Sequence, residues 1–149
     1  MKLPASFLVR HVEPKDRPRW QLLWRDYQTF RQIPEEVTEV TWRRFFDDLE
    51  PVHALVAEEG EAVIGFAHYL FHRSTAQIGP VCYLQDMFTV ETARGRGVGR
   101  ALIEAVCACA KAAGAARVYW NTSETNITAR ALYDKVGTLT KFVQYRKNL

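Results

Sequence analysis

Hydrophobic positions recur along this chain with two different periods, and together they predict an α/β fold. Alternating or continuously apolar runs, bounded by glycine, proline or acidic turns, predict strands. Apolar residues three and four apart predict helices, the first of them between Pro18 and Pro34. The stripe of this first helix consists of Trp20, Leu23, Trp24, Tyr27 and Phe30. The predicted strands are residues 7–12, 52–58, 62–72, 83–90, 117–122 and 141–146, and the other predicted helices are residues 41–49, 101–113 and 127–135.

The order of these elements, β-α-α-β-β-β-α-β-α-β, predicts one mixed sheet with helices on both faces, in a single domain that covers residues 1–149. Residues 83–122 form a strand, a glycine-rich loop, a long helix and another strand. Such a unit is expected to make a right-handed crossover and to bind its ligand at the carboxyl end of the first strand. The glycine-rich loop lies at that end.

This loop has the sequence Arg94-Gly95-Arg96-Gly97-Val98-Gly99-Arg100. Its glycines let the backbone turn tightly and leave the N–H groups of the helix start uncovered. Arginine at a helix N-terminus opposes the helix dipole, and Asp or Glu is usual there. The three arginines are explained if an anion occupies the site, and phosphate is the first candidate.

Two common phosphate-binding loops fit the sequence poorly. A Walker A loop requires Gly-Lys followed by Ser or Thr, whereas this chain has Gly99-Arg100-Ala101. A dinucleotide-binding loop requires G-x-G-x-x-G and an acid at the end of the next strand. Here the glycines have the spacing G-x-G-x-G, and the next strand ends in Asn121-Thr122 with Glu124 just beyond. A nucleotide-binding domain is therefore the weaker alternative.

A third pattern, Arg-x-x-Gly-x-Gly, is met by Arg94, Gly97 and Gly99. With its flanks, YLQDMFTVETARGRGVGRALI (residues 83–103), it resembles the acetyl-CoA loop of the GNAT superfamily of N-acetyltransferases. The segment NITARALYDKVG (residues 126–137) resembles the second cofactor element of that family. The resemblance extends over residues 52–149. It implies a GNAT-like fold, which the predicted element order matches, acetyl-CoA as the cofactor, and acetyl transfer to an amine.

Tyr133 lies seven residues after Asn126, so a helix places them about 20° apart on one face, with room for an extended pantetheine arm. The resemblance implies that Asn126 binds this arm, that Tyr133 lies near the sulfur, and that backbone amides at residues 87–90 stabilise the carbonyl oxygen. A tyrosine hydroxyl, protonated at neutral pH, is suited to donate a proton to the departing thiolate. The cofactor contacts implied are Phe88, Thr89, Val90, Arg94, Gly95, Arg96, Gly97, Val98, Gly99, Arg100, Asn126 and Tyr133.

The sequence leaves open which group receives the proton of the attacking amine. Similar polyamine-type acetyltransferases often carry two adjacent acids where this chain has Gln85-Asp86. Asp86 accepts the proton directly or through a water, or it holds the ammonium group. Because side chains alternate along a strand, Gln85 and Asp86 are expected on opposite faces, with only one toward the substrate.

The predicted acceptor is a small cationic amine, such as a polyamine, a diamine or a lysine-like amino acid. Glu35 and Glu36, in the predicted connector between the first two helices, add negative charge where GNAT proteins often bind their acceptors. Direct transfer in a ternary complex is expected, because no cysteine lies beside the predicted acetyl site. A protein lysine or N-terminus is the alternative acceptor. The rival to an enzyme is a non-catalytic acyl-CoA-binding module. The missing second acid favours this rival, whereas Tyr133, a tyrosine where the transfer needs a proton donor, argues against it.

Composition limits the partners. The chain has 149 residues, of which 48% are hydrophobic, and a net charge of only +3, so a nucleic-acid partner is not expected. It has no apolar run of about 18 residues, no signal-peptide pattern and no metal-binding cluster. The odd number of cysteines, Cys82, Cys107 and Cys109, predicts a reducing, cytosolic location. A homodimer is expected from the resemblance, with the last strand adding to the sheet of the partner.

Overall fold

Five strands form one sheet in the order in which they occur along the chain, in a computed structural model that describes residues 6–29 and 31–149. Phe30, the last residue of the predicted first stripe, lies outside the described residues. The strands are β1 (Leu8–His11), β2 (Val52–Glu59), β3 (Ala62–His72), β4 (Val81–Thr89) and β5 (Val118–Tyr119). The helices are α1 (Arg17–Tyr27), α2 (Glu35–Arg44), α3 (Val98–Ala112) and α4 (Ile127–Val136).

Helices cover both faces of the sheet, as the sequence predicts. Alternating residues of the central strands point to opposite faces, so that Leu55 of β2 belongs to one apolar cluster and Val56 to the other. Leu102 of α3 packs in the first cluster, and Trp20 of α1 packs in the second. The sheet is mixed because β4 and β5 are parallel while the other neighbours are antiparallel.

A β-bulge in β4 shapes the centre of the sheet. Asp86 pairs with His68 of β3 and Leu84 pairs with Tyr69, so that Gln85 has no partner in the ladder. The extra residue reverses the alternation of side chains. Leu84 therefore packs in the cluster of α3, whereas Asp86 and His68 lie on the face covered by α1 and α2.

The two ends of α2 and the start of α3 differ from the predicted ones. Helix α2 begins at Glu35 and ends at Arg44, so the predicted connector at residues 35–38 is its first turn. The physical reason is that Pro34 precedes a pair of acids, Glu35 and Glu36, which the helix dipole stabilises at this end. Helix α3 begins at Val98, so the last residues of the glycine-rich loop form its first turn.

Two predicted strands are shortened or absent. The strand predicted at residues 117–122 is reduced to Val118–Tyr119, because only Cys82 and Tyr83 of β4 pair with it before the two strands diverge. The strand predicted at residues 141–146 does not form, and these residues are exposed. An extended segment becomes a strand only when it pairs with a neighbour, and among the described residues none forms backbone hydrogen bonds with residues 141–146.

A buried ion pair joins β1 to the start of α1. Asp16 is 1% exposed, and both of its carboxylate oxygens accept hydrogen bonds of 2.8 Å from the Arg10 guanidinium. The backbone N–H of Glu13 also donates to Asp16, and Arg10 pairs with Glu58 of β2. The Arg10 guanidinium holds the pKa of Asp16 below its ordinary value of 3.8.

No helix among the described residues is long and apolar enough to cross a membrane. Within the same residues, no three His, Cys, Asp or Glu side chains are grouped so that they could hold a metal ion. Cys82, Cys107 and Cys109 are free thiols. The cytosolic location stays a prediction from the sequence.

Candidate active site

The glycine-rich loop presents uncovered backbone amides. Gly95 has a φ of 77° and Gly97, the N-cap of α3, has a φ of 84°, values that favour glycine over residues with a side chain. No side chain of the described residues caps this helix start, so the N–H groups of its first turn face outward. A Cβ at Gly99 would lie 3.3 Å from Leu132 of α4 and 3.6 Å from Met87 of β4. This glycine therefore allows α3, α4 and β4 to approach closely.

The three arginines of the loop differ in their partners, which the sequence did not predict. Arg96 forms an ion pair with Glu59 at the end of β2, and Arg100 pairs with Glu104 at 3.0 Å within α3. Arg94 has no carboxylate partner among the described residues, and its guanidinium lies over the ring of Phe88 while Nε donates to the Thr89 carbonyl. Arg94 is therefore the arginine of this loop whose charge is not already paired.

Strand β4 has unpaired backbone groups beyond Tyr83, where it diverges from β5. The N–H of Val90 donates to the Ile64 carbonyl of β3 at 2.9 Å. Because successive amides of a strand point to opposite sides, the N–H of Phe88 also points toward β3, and those of Met87 and Thr89 point toward the gap. The prediction that amides across residues 87–90 face the cofactor is wrong for Phe88 and Val90, since the sheet uses their side of the strand.

A cavity of about 340 Å³ lies at this gap. It brings together side chains from α1, β4, the loop before α4, and α4 itself, among them Tyr27, Gln85, Asp86, Asn126 and Tyr133. Gln85 and Asp86 both line it, so the expectation that only one of them faces the site is wrong; Gln85, the bulged residue, has no ladder partner beside Asp86. Asp86 is the sole charged residue among those that line this cavity.

Glu35 and Glu36 do not line the cavity that holds Asp86. Glu35 lines a second cavity of about 410 Å³ between α1 and α2, together with Arg25 and Arg31. Its carboxylate accepts a hydrogen bond from Gln21 at 3.0 Å and lies within 4.0 Å of Arg25. Glu36 is exposed in the first turn of α2.

Asn126 and Tyr133 occupy the α4 side of the cavity. Asn126 caps α4 by accepting a hydrogen bond from the Ala129 N–H at 3.4 Å, and its amide donates to Thr122 at 3.2 Å. The ring of Tyr133 packs edge-on against Trp120, with centroids 5.5 Å apart. Burial raises the pKa of Tyr133 above its ordinary value of 10.0, so its hydroxyl keeps its proton at neutral pH.

Asp86 is held by two side chains, neither of which the sequence predicted as a site residue. The Tyr27 hydroxyl of α1 lies 3.0 Å from Oδ1, and Nδ1 of His68 lies 3.0 Å from Oδ2. Burial and the charge of Asp86 raise the pKa of Tyr27, so Tyr27 is the donor. The sequence does contain one signal of this arrangement. His68 is a lone histidine within the apolar run of β3, residues 62–71, and a buried polar ring needs a hydrogen-bond partner.

Known proteins are similar to this chain in sequence and in fold. The model of the acetyltransferase (GNAT) family matches residues 18–138. A D-amino-acid N-acetyltransferase of Saccharomyces cerevisiae is 41% identical over 146 residues, which cover 95% of this chain and 90% of the relative. A thialysine N-epsilon-acetyltransferase of Bos taurus is 26% identical, covering 89% of this chain and 84% of the relative. An aminoglycoside N-acetyltransferase solved in complex with CoA has the same fold, with a TM-score of 0.81, 20% identity and coverage of 96% and 95% of the two chains.

Proposed function

The chain belongs to the acetyltransferase (GNAT) family and is an acetyl-CoA-dependent N-acetyltransferase, and we propose that its acceptor is a small cationic primary amine that binds at Asp86. The observation that carries the proposal is the charge of the cavity between β4 and α4. Of the residues that line it, Asp86 is the one with a charge, and the others offer hydroxyl, amide and apolar groups. Such a cavity attracts an ammonium group, because a carboxylate shielded from bulk water interacts strongly with a cation.

The residues proposed to hold acetyl-CoA surround the gap beside β4. The amides of Met87 and Thr89 and those of the first turn of α3 are hydrogen-bond donors with no partner in the sheet or helix. Arg94 adds a positive charge that no described carboxylate neutralises. These donors suit amide and diphosphate acceptors, so the residues present fit the cofactor. When bound, acetyl-CoA supplies an acetyl group activated as a thioester.

Two side chains of the cavity are proposed to handle protons. Tyr133 keeps its hydroxyl proton at neutral pH and donates it to the departing thiolate sulfur. Asp86 holds the ammonium group of the acceptor and receives its proton, directly or through a water. Gln85 offers an amide that orients the acceptor without a charge. None of the cysteines lines the cavity, which supports direct transfer without an acetylated enzyme.

An amino acid is the second candidate acceptor, and the 41% identical relative that acts on D-amino acids favours it. Its ammonium group would bind Asp86, and its carboxylate would need uncharged donors such as Gln85, Asn121 and Ser123. Glu35 and Glu36 are proposed as contacts for a longer acceptor alone, one that extends beyond the cavity toward α2.

The release of CoA from acetyl-CoA, followed with a thiol reagent and a panel of amines, tests this proposal. The panel contains 1,4-diaminobutane, spermidine, L-lysine, thialysine, the D- and L-forms of neutral amino acids, and a lysine-containing peptide. The proposal predicts the highest kcat/KM with diamines or lysine-like amines. Preference for neutral D-amino acids would select the second candidate. CoA binding without release by any amine would contradict both.

The exposed C-terminal segment supports a second proposal, that the protein forms a homodimer. Phe142 and Tyr145 are 91% and 93% exposed, an unusual environment for aromatic side chains, and the outer edge of β5 has no strand beside it among the described residues. Residues 141–146 of one copy are proposed to add to β5 of a second copy.

Light scattering of the full chain tests the dimer. The wild-type protein is expected to have twice the mass of the chain, and the double variant Phe142→Asp/Tyr145→Asp to be a monomer. Leu22→Asp, at an exposed apolar residue of α1, is the matched control and should stay dimeric. A monomeric wild-type protein would contradict the proposal.

A further inference from the structure

A line of hydrogen bonds runs from the core under α1 to the wall of the active-site cavity. Trp20, which is 0% exposed, donates from Nε1 to Nε2 of His68 at 2.9 Å. His68, 4% exposed, contacts Oδ2 of Asp86 through Nδ1 at 3.0 Å. Asp86 lines the cavity. The line therefore connects a fully buried indole to the carboxylate that faces the acceptor.

The chemistry of the indole fixes the proton on His68. An indole N–H is a donor only, so Nε2 of His68 must offer its lone pair to Trp20. The remaining ring proton then lies on Nδ1, where it is directed at Asp86 Oδ2. The contact with Trp20 thus selects one tautomer of His68 and makes its Nδ1 a donor to Asp86.

From this geometry we infer that His68 is a positioning residue, which fixes the Asp86 carboxylate so that its remaining lone pairs point into the cavity toward the ammonium group of the acceptor. Two donors, Tyr27 on Oδ1 and His68 on Oδ2, each use one lone pair, and a carboxylate has about four such sites. The titratable groups that face Asp86 are Tyr27 from α1 and His68 from β3, with Tyr133 from α4 across the cavity. The inference rests on the proposed function.

The surroundings of His68 favour this role over simple core packing. Its ring lies among the rings of Trp24, Phe45 and Phe66, with centroids 5.1, 5.0 and 4.6 Å away. An apolar side chain would pack among these rings, but it would leave the buried N–H of Trp20 and Oδ2 of Asp86 without this partner, and a buried polar group is costly when it lacks one. Within this apolar layer, His68 presents a hydrogen-bond donor of fixed orientation, Nδ1–H, to Asp86.

Two substitutions separate positioning from packing, because each retains one of the two nitrogens. In His68→Asn the side-chain amide replaces Nδ1 and keeps a donor to Asp86, but it loses the acceptor for Trp20. In His68→Gln the amide replaces Nε2 and keeps the contact with Trp20, but it loses the donor to Asp86. Steady-state kinetics, thermal denaturation and acetyl-CoA titration are compared for both variants and the wild type.

The inference predicts that His68→Gln raises the KM of the amine about tenfold, with little change in the KM of acetyl-CoA or in Tm. His68→Asn should have a lower Tm and an amine KM close to that of the wild type. If the variant with the lower Tm is instead the one with the higher amine KM, His68 has a packing role and the inference is overturned.

Nitrogen NMR of the wild-type protein gives a second readout that needs neither a variant nor activity. The inference predicts that Nδ1 of His68 is protonated and Nε2 is not, and the reverse tautomer would overturn it. If no amine supports CoA release, the proposed function fails, whereas this NMR result still decides whether His68 donates to Asp86.

Discussion

Tyr27 donates a hydrogen bond to Asp86 across 3.0 Å and thereby ties helix α1 to strand β4. The two residues are 59 positions apart in sequence, and Tyr27 precedes the region that carries the glycine-rich loop. The acceptor side of the cavity is thus completed by the first helix. The cofactor side is built by β4, α3 and α4.

Substitution of the N-cap glycine of α3 is expected to abolish cofactor binding. In Gly97→Asp, a carboxylate enters the site proposed for the diphosphate, where like charge repels the ligand. Gly114→Asp is the matched control, since Gly114 also has a positive φ, of 77°, but lies beyond the other end of α3. Calorimetry with CoA should detect binding by the control and none by Gly97→Asp. Equal affinity of the two variants would contradict the placement of the diphosphate.

The arginines of the loop are expected to contribute unequally to CoA affinity. Arg94→Ala removes the guanidinium that no described carboxylate neutralises and should weaken CoA binding about tenfold, the usual size of one charge-assisted hydrogen bond. Arg96→Ala removes a group already paired with Glu59 and should change the affinity about twofold or less. Titration at low and high salt measures both effects. A larger loss for Arg96→Ala would show that its ion pair opens to bind the cofactor.

Tyr133→Phe is expected to lower kcat about 10- to 1000-fold, the usual range for loss of a general acid. The affinity for acetyl-CoA should change little, because the ring and its contact with Trp20 are retained. Tyr119→Phe, which removes a hydroxyl bonded to His72 outside the cavity, is the control for loss of a phenol. An unchanged kcat in Tyr133→Phe would remove this residue from the proton transfer.

The ion pair of Arg10 and Asp16 predicts a loss of stability in acid. The folded protein has a lowered pKa for Asp16, so the carboxylate stabilises the fold fully above its ordinary pKa of 3.8, and this contribution is lost as the pH falls below that value. Asp16→Asn should lower the free energy of unfolding at neutral pH by about 2 kcal/mol, because Arg10 loses a buried charged acceptor and keeps Glu58 as its remaining strong partner.

Urea denaturation across the acid range measures this effect. The Asp16→Asn variant should show a weaker fall in stability below pH 3.8 than the wild type does. Asp26→Asn, at an exposed residue of α1, is the control and should follow the wild-type curve. Parallel curves for Asp16→Asn and the wild type would contradict the stabilising role of the ion pair.

The parts of the site that depend on local chemistry were predictable from the sequence. Glycines 95, 97 and 99 indicate a turn into a helix start whatever surrounds them, and the apolar runs of β2 and β3 are evident in the printed sequence. The order of helices and strands as far as α4 follows from the same local patterns, and the structure confirms it.

The environment of Asp86 was not predictable, because it depends on a bulge. One extra residue at Gln85 reverses the alternation of β4 and moves Asp86 to the face of His68 and Tyr27. No local pattern in this segment indicates that residue. The strand predicted at residues 141–146 failed for a related reason, because a strand forms only where a neighbour accepts its hydrogen bonds.

Whether Asp86 receives the amine is measured by the initial rates of acetylation of 1,4-diaminobutane by Asp86→Asn, with Asp134→Asn as the control. If Asp86 binds the ammonium group, Asp86→Asn raises the KM of the amine or lowers kcat by at least about tenfold, the size expected for one lost charged contact, with acetyl-CoA affinity retained. Asp134, exposed beside Tyr133 on α4, should be replaceable without effect. Wild-type kinetics in Asp86→Asn would show that the amine binds elsewhere.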